Sequence, residues 1–467
     1  MTSPHRFSPL RSGIAIALAT VMALPVLAPV TAEAATDELI TTTARGRTED
    51  VQDVPAAIAV ISQDDIQALG IERVGDYVNL VPGVTLVDAA EVGDTQINIR
   101  GINGARDAEN SVALVIDGIL MTNPAAVNRE YTNLQQIEIM KGPQGALYGR
   151  NAAAGAIIMT SKRPDKEFDA RVRASYAEDE TYTLNGAIGG LVNDDTLTWE
   201  INGDYRSSDG FFQDEWSGGT LASTDGKVDQ FENFSLGGRM IWEPSDKLSV
   251  DTKIRYGEVD AASITFNASF HLPELGAAFG SPKLGEDAND HEFKFYPNVD
   301  SFNEQESTEF SVRAEYDLEW ADLIAWGLYS DIQNNLGAEG TSGAFGFFND
   351  DTGPNNCTQS TIDVTNTGFA LPAPQFIIPG DPGGSVLGPY TPTTCDGTQY
   401  QERNQKDYSF ELRLRSKSDQ RLRWEGGVYF LDLEREVGVN LGIDRANGFI
   451  DRNLYSTNLN NPTEQLV

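Results

Sequence analysis

The sequence predicts a small α/β domain followed by part of an antiparallel transmembrane β-barrel. Up to Pro164, short β-branched segments alternate with helix-length segments and with turns rich in Gly and Pro, which is typical of a compact α/β domain. Beyond Pro164, apolar and polar residues alternate in successive segments of strand length. The connections between these segments are short and long in turn, which is typical of a barrel with short turns on one side of a membrane and long loops on the other.

The chain begins with the pattern of a secretory signal peptide, which we assign to residues 1–34. Arg6 and Arg11 form a basic region, Gly13–Leu27 an apolar region, and Ala32–Ala34 a cleavage site of the A-x-A type. The apolar region is interrupted by proline and is short for a transmembrane helix. We therefore expect export across the inner membrane.

The α/β domain is expected over residues 54–164. Ser62 and Asp65 have the spacing of a capping box, so a helix should begin there and end at Gly70. A second helix is expected over Val74–Val81, and Asp117-Gly118 is a hairpin signal. Strands are expected at Ala57–Ile61, Val84–Val87, Gln96–Arg100, Val112–Ile116, Gln136–Lys141 and Ala156–Thr160.

Residues 165–467 are expected to form about nine barrel strands. The segments with alternation are Phe168–Tyr176, Tyr182–Val192, Leu197–Arg206, Phe234–Trp242, Leu248–Tyr256, Phe310–Leu318, Leu323–Ile332, Tyr408–Leu414 and Leu422–Phe430. A soluble sandwich would alternate as well. The barrel is favoured because the polar positions carry many arginines and because short links alternate with long ones, such as Val259–Glu304 and Gly337–Glu402.

The composition excludes several classes of function. The 467 residues carry a formal net charge of −36, which would repel nucleic acid. The three histidines, His5, His271 and His291, are scattered, so neither a metal site nor a catalytic base is indicated. We expect no catalytic residue, no enzyme activity and no cofactor. Cys357 and Cys395 lie in one loop-like region, where a disulfide is favoured over a metal site.

Three motifs carry a resemblance to a known family. They are LQQIEIMKGPQGALYGRNAAAGAIIMTSKRP at Leu134–Pro164, INIRGI at Ile97–Ile102 and VALVIDGI at Val112–Ile119. Together they resemble the plug domain of TonB-dependent outer-membrane receptors, the active importers of Gram-negative bacteria. The resemblance implies that 54–164 is the plug and that 35–53 holds the TonB box, an extended segment that pairs with the periplasmic TonB protein.

The resemblance also implies roles for individual residues. The TonB box would comprise Glu38, Leu39, Ile40, Thr41, Thr42, Thr43 and Ala44. The substrate-contacting residues of the plug apices would be Asp88, Asp94, Asn103, Arg106, Asp107, Asn123 and Arg129. Arg100 and Lys141 would pair with a glutamate of the barrel wall, for which we select Glu411, and would hold the plug in place. A lysine in place of arginine at 141 lacks the bidentate fork.

The resulting hypothesis is a receptor that imports a scarce solute with energy from the inner membrane. Its expected partners are the TonB complex, outer-membrane lipid, lipopolysaccharide and a small solute, for which an iron–siderophore complex is favoured. Oligosaccharide and cobalamin stay open as solutes, and a passive porin or a surface-binding protein is the alternative class. Family members close their barrel with about twenty-two strands, so we also expect this chain to contain only the N-terminal part of the barrel.

Overall fold

The structure is a computed structural model. It describes residues 41–42, 49–54, 56–71, 73–87, 95–104, 109–131, 133–193, 195–214, 227–263, 271–274, 277, 285, 287, 289, 295, 301–339, 398–418, 420–441, 456–458 and 461–466. All contacts reported below lie within the unit Thr42–Val467.

The strands and helices are numbered in chain order. The strands are β1 (Thr41–Thr42), β2 (Glu49–Asp50), β3 (Ala57–Ser62), β4 (Val84–Val87), β5 (Gln96–Ile99), β6 (Val112–Ile116), β7 (Ile119–Leu120), β8 (Leu134–Lys141), β9 (Gly155–Ser161), β10 (Asp169–Ala177), β11 (Thr181–Asn193), β12 (Leu197–Ser208), β13 (Phe231–Ser245), β14 (Leu248–Ala261), β15 (Phe302–Asp317), β16 (Ala321–Glu339), β17 (Thr398–Ser416), β18 (Glu425–Leu441), β19 (Ser456–Asn458) and β20 (Asn461–Leu466). The α-helices are α1 (Gln63–Leu69), α2 (Val74–Val78) and α3 (Gly145–Tyr148), and short 3-10 helices span Val51–Asp53 and Pro124–Asn128.

The N-terminal domain is built on a five-stranded sheet in the order β3-β8-β9-β6-β7, with β4 and β5 paired separately. Strands β6 and β9 are parallel, and the other neighbours in the five-stranded sheet are antiparallel. Ile137, Ile139, Ile157 and Met159 on the two central strands are fully buried. The core of the domain therefore lies on the central pair β8 and β9.

The capping box predicted for the first helix is present. The Ser62 hydroxyl accepts from the Asp65 amide, the Asp65 carboxylate accepts from the Ser62 amide, and Gly70 ends the helix with a φ of 64°. The second helix is shorter than predicted and ends at Val78. Beyond it, the Val81 amide donates to the Val78 carbonyl, a bond across three residues that tightens the chain into a turn.

The hairpin predicted at Asp117-Gly118 is also present. Both residues have positive φ, 50° and 82°, as a two-residue type I′ turn requires, and Ile116 pairs with Ile119 across it. The strand predicted to end at Arg100 ends at Ile99, because Arg100 itself has a φ of 54°.

Nine strands, β10 to β18, form one antiparallel sheet in which every strand pairs with its neighbours in the chain. Each predicted barrel strand is found, and most are longer than predicted. For example, the segment predicted as Phe310–Leu318 spans Phe302–Asp317, because its first half alternates polar side chains that give no apolar signal. Strands β10 and β18 are the two edges, so the sheet is not closed.

The two faces of this sheet differ in character. One face exposes large apolar side chains, including Val172, Ile201, Ile254 and Phe310. Near the short turns, the rings of Trp320 and Trp424 lie 6.0 Å apart. The opposite face carries buried polar and charged residues, as alternation along a strand requires.

Among the residues that the structure describes, no helix is both long and apolar enough to cross a membrane.

Candidate functional site

The candidate site is the surface on which the polar face of the nine-stranded sheet meets the N-terminal domain. Part of the surface is apolar, because Trp326 and Leu328 of β16 are 3% and 5% exposed and belong to the core cluster of the domain. The part formed by β12 to β15 is charged. The sheet and the domain therefore share one core on one side and a network of ion pairs on the other.

Asp117, in the β6–β7 hairpin, lies at the centre of this network. Its carboxylate accepts from the Ser161 amide at 2.8 Å and from the Ser161 hydroxyl at 2.5 Å, and it forms an ion pair with Lys253 of β14. Burial alone would raise the pKa of Asp117, but the Lys253 ammonium and the Arg239 guanidinium outweigh it and hold this pKa below its usual value. Asp117 is therefore a buried carboxylate that is fixed in its ionised form.

Arg239 of β13 extends the network to the end of β9. Its guanidinium donates to the Ser161 hydroxyl and to the Lys162 carbonyl, each at 2.9 Å. It also forms a bidentate pair with Asp251 of β14, at 3.1 and 2.7 Å. Because the fork is held by Asp251, its remaining nitrogen is aimed at the backbone of the domain.

A second buried pair joins Arg129 to Glu309 of β15. Two guanidinium nitrogens contact the two carboxylate oxygens, one of them at 2.7 Å, and the side chains are 6% and 10% exposed. Burial would lower the pKa of Arg129, but the Glu309 carboxylate outweighs it and raises this pKa above its usual value. This pair is the most enclosed bidentate contact described between the domain and the sheet.

Further contacts surround these two pairs. The Asn133 side chain donates to the Glu200 carboxylate of β12 at 2.5 Å. Arg171 of β10 donates to the side-chain oxygen of Asn133 and to the Glu200 carboxylate. Arg206 of β12 lies 3.6 Å from Glu130. On the other side of the domain, the Thr122 hydroxyl donates to Asp407 of β17 at 2.6 Å. Glu109 lies between Arg435 of β18 and Arg150, at 3.2 and 2.9 Å.

A cavity of about 160 Å³ lies within the charged part of the interface. The domain contributes Ile116, Asp117, Ile119, Met121, Arg129, Glu130, Tyr131, Asn133, Leu134 and Ser161 to its lining, and β12 to β16 contribute Glu200, Asn202, Asp204, Gly237, Gly238, Arg239, Lys253, Ile254, Arg255, Glu309, Ser311 and Leu328. The volume is enough for several water molecules, and the charged groups offer them partners. The domain and the sheet are therefore not in close contact throughout the region of the ion pairs.

A family model described as TonB-dependent Receptor Plug Domain matches residues 50–156. Residues 50–156 therefore form a plug domain of the TonB-dependent receptor type. The N-terminal domain is the plug, the nine-stranded sheet is part of the barrel wall, and the chain belongs in the outer membrane. The predicted limits 54–164 and 165–467 stay predictions.

Relatives and solved structures agree with this assignment. A catecholate siderophore receptor of Escherichia coli is 34% identical over 147 residues, which are 30% of this chain and 18% of that protein. A pesticin receptor of Yersinia enterocolitica is 24% identical over 139 residues, 30% of this chain and 20% of that protein. Each of these matches spans only a small part of the relative's length.

In structure, the chain is similar to the ferric yersiniabactin uptake receptor of Yersinia pestis, with a TM-score of 0.62 at 13% identity, covering 83% of this chain and 50% of that one. It is also similar to the ferripyoverdine receptor of Pseudomonas aeruginosa, with a TM-score of 0.58 at 14% identity, covering 86% and 45%. The chain thus shares the fold of about half of each receptor.

Of the predicted TonB box, the structure describes Thr41 and Thr42. Thr42 is buried, and its hydroxyl donates to the buried carboxylate of Glu138 on β8. The remaining residues, Glu38, Leu39, Ile40, Thr43 and Ala44, lie outside the described residues, as do the predicted signal peptide and the predicted pair Cys357 and Cys395. The role of the box stays a prediction.

The predicted apical residues do not form one group. Asp88, Asp94, Arg106 and Asp107 lie outside the described residues. Asn103 is exposed, and the Asn123 side chain accepts from the Ala125 amide at the start of a 3-10 helix. Arg129 faces the barrel wall, in the pair with Glu309 described above, so it does not lie at an open apex.

The structure does not bring together the three residues predicted to hold the plug. Lys141 donates to the Pro82 carbonyl at 3.3 Å, whereas Glu411 pairs with Arg413 on its own strand. Arg100 lies in a turn beside Gly142. The pairing of Arg100 and Lys141 with Glu411 stays a prediction, and other residues connect plug and wall here.

Sequence reasoning missed those residues for a physical reason. The sequence predicts Asp117 only as a turn residue, and Lys253 lies within the predicted strand Leu248–Tyr256 without a predicted partner. Their contact joins positions 136 residues apart, which no local pattern reveals. A strand in which cations alternate with apolar residues does indicate such contacts. Cations that face the inside of a barrel need carboxylates as partners.

Proposed function

We propose that this chain belongs to an active importer of iron–siderophore complexes. The solute binds at the outer face, and the TonB complex then acts on the segment before the plug so that the plug rearranges and the solute enters the periplasm. No chemical change of the solute is part of this proposal. Two of the structurally similar receptors support the solute class, because one takes up ferric yersiniabactin and the other binds ferripyoverdine.

The main support for this proposal is the set of ion pairs between the plug and the barrel wall. Buried ion pairs such as Arg129–Glu309 and Asp117–Lys253 join the plug to the inner face of the wall. The partners in these pairs are largely buried and make charge-assisted hydrogen bonds, so they hold the plug at a defined position against the wall. A passive pore has no use for this arrangement, whereas an importer that draws on external energy has.

The test separates binding from transport. Ile40→Pro removes a backbone donor from the predicted TonB box and prevents strand pairing, whereas Ile40→Ala keeps the donor and serves as the matched control. Cells that depend on the complete receptor are measured for surface binding of radiolabelled iron–siderophore and for its uptake. We expect Ile40→Pro to bind normally and to lose uptake, and Ile40→Ala to keep both.

Two outcomes would contradict the proposal. Uptake by Ile40→Pro at the level of the parent would remove the TonB box from the mechanism. Uptake that persists after a protonophore collapses the proton gradient would identify a passive porin instead. A panel of siderophores, cobalamin and oligosaccharides, tested as competitors for surface binding, identifies the solute class.

A further inference from the structure

The two ends of the nine-stranded sheet differ strongly in charge. The connections at the end that carries the long loops are residues 178–180, 209–230, 262–301 and 340–397. Together they contain nineteen Asp and Glu, three Lys and no Arg, which is a net charge of −16. The turns at the opposite end are residues 194–196, 246–247, 318–320 and 417–424. These contain five Asp and Glu and four Lys and Arg, a net charge of −1. The excess of carboxylates therefore lies at the end of the long loops.

The strands below the long loops add carboxylates to this end. Glu258 of β14 lies directly opposite Glu306 of β15, and Asp260 lies directly opposite Glu304. All four residues are exposed. Like charges that are directly opposite each other in a sheet are destabilising, so the stability of the sheet does not explain these pairs.

The predicted apices of the plug are acidic as well. Residues 88–95 and 103–110 contain five carboxylates, and Arg106 is the one cation in these two ranges. Arg206 and Arg435 of the barrel wall lie 3.6 and 3.2 Å from carboxylates of the plug, so these two cations are already engaged. A solute that enters from the long loops therefore meets a negative potential both at the rim and at the plug.

Such a potential discriminates between solutes by charge. Charges of one sign around an opening speed the association of solutes of the opposite sign and slow that of solutes of the same sign. Iron–siderophore complexes differ in this property. Three hydroxamates neutralise a ferric ion, and a further amine on the ligand makes the complex cationic. Three catecholates carry twice as much negative charge and leave the complex strongly anionic.

We propose that the acidic connections at the long-loop end make this receptor selective for iron complexes that are neutral or positively charged, and that they exclude strongly anionic chelates. The inference rests on the proposed function, because it assumes that the solute is an iron–siderophore complex. It assigns the selectivity to the combined charge of this end, and it requires no ion pair between the solute and any single carboxylate.

One chelate in two charge states provides the test. The cationic probe is a ferric trihydroxamate with a free terminal amine, and the anionic probe is the same complex after succinylation of that amine. The complete receptor is purified in a non-ionic detergent without divalent cations. Association rate constants are measured by stopped-flow fluorescence quenching at low and at high salt. Uptake of both probes and of a ferric catecholate is measured in cells, with and without a protonophore.

Two variants that lose equal charge locate the effect. The outer variant neutralises the three exposed carboxylates of the β10–β11 turn by Glu178→Gln, Asp179→Asn and Glu180→Gln. The control variant neutralises three exposed carboxylates at the opposite end of the sheet by Glu167→Gln, Asp195→Asn and Asp246→Asn. Because all six side chains are exposed, neither variant disturbs the core.

We expect the cationic probe to associate about tenfold faster than the anionic probe at about 20 mM salt, and less than about twofold faster at about 500 mM. The outer variant should lower the ratio at low salt by about half, and the control variant should keep it. Equal rates for the two probes at low salt, a faster anionic probe, or equal effects of the two variants would overturn the inference.

Uptake separates this inference from the proposed function. Energy-dependent uptake of the ferric catecholate but of neither hydroxamate probe would overturn the inference while the proposed function stands. If cells show no energy-dependent uptake of any of the three complexes, the proposed function fails and this inference fails with it.

Discussion

The Thr42 hydroxyl donates a hydrogen bond to the Glu138 carboxylate across 96 residues of sequence, and both side chains are buried. Thr42 lies within the predicted TonB box, and Glu138 lies on β8 at the centre of the plug sheet. The segment on which TonB is proposed to act is therefore fastened directly to the strand on which the plug core is built.

The first prediction concerns this hydrogen bond. Thr42→Val keeps the shape of the side chain and removes the donor, and a hydrogen bond to a charged group contributes about 1.5–3 kcal/mol. We expect the free energy of unfolding of the plug to fall by this amount in denaturant titrations of the receptor in detergent. Thr85→Val, at an exposed strand position, is the control. Equal stability of the two variants would show that the bond contributes little.

The second prediction concerns Asp117. Asp117→Asn removes the buried carboxylate that pairs with Lys253, and the loss of one partner of a buried pair costs about 3–5 kcal/mol. We expect plug unfolding at correspondingly lower denaturant concentration. Asp165→Asn, which changes an exposed carboxylate just beyond the predicted plug, should shift the free energy of unfolding by less than about 0.5 kcal/mol.

The same carboxylate gives the third prediction, on pH. Because the pKa of Asp117 is lower in the folded plug than in the unfolded chain, its stabilising contribution is complete above the unfolded value of about 4. This contribution is lost as pH falls through the folded pKa. Plug unfolding followed from pH 7 to pH 2 should therefore show a smaller acid destabilisation in Asp117→Asn than in the parent. Parallel curves for the two proteins would contradict the assignment.

The fourth prediction concerns Arg129 and Glu309. Arg129→Met leaves a buried carboxylate without its bidentate partner, with an expected loss of about 3–5 kcal/mol in the free energy of unfolding. The double variant Arg129→Met with Glu309→Leu should recover most of this loss, because it removes both buried charges. A double-mutant cycle in denaturant measures the coupling, and additive effects of the two substitutions would disprove it.

The fifth prediction concerns the turn beside this network. Gly118 has a φ of 82°, and a Cβ atom built on it would lie 2.9 Å from Nε of Arg313. Gly118→Ala should destabilise the plug by about 1 kcal/mol, mainly from backbone strain, because the Arg313 side chain can move aside. Gly145→Ala, where no atom lies within 4 Å of the built Cβ, should be neutral or slightly stabilising. Thermal unfolding of the two variants makes the comparison.

Local chemistry explains which parts of this fold were predictable. The capping box at Ser62, the Asp117-Gly118 turn and the nine alternating strands follow from nearest-neighbour rules, and all three are present. The contacts of the interface depend on the register between plug and wall. Arg129 could be recognised as a polar loop residue, but its pairing with Glu309 requires a three-dimensional arrangement that sequence spacing does not encode.

The length of the barrel strands determines how far the outer rim of the barrel extends above the membrane. Strands β16 and β17 each have 19 residues, whereas a tilted strand crosses the hydrocarbon of a membrane with about ten. At about 3.3 Å per residue and a tilt of about 40°, the surplus raises the outer rim by roughly 20 Å above the lipid tails. That elevation places the rim well outside the hydrocarbon layer, so we expect a solute that arrives from outside to contact the rim before it reaches the lumen.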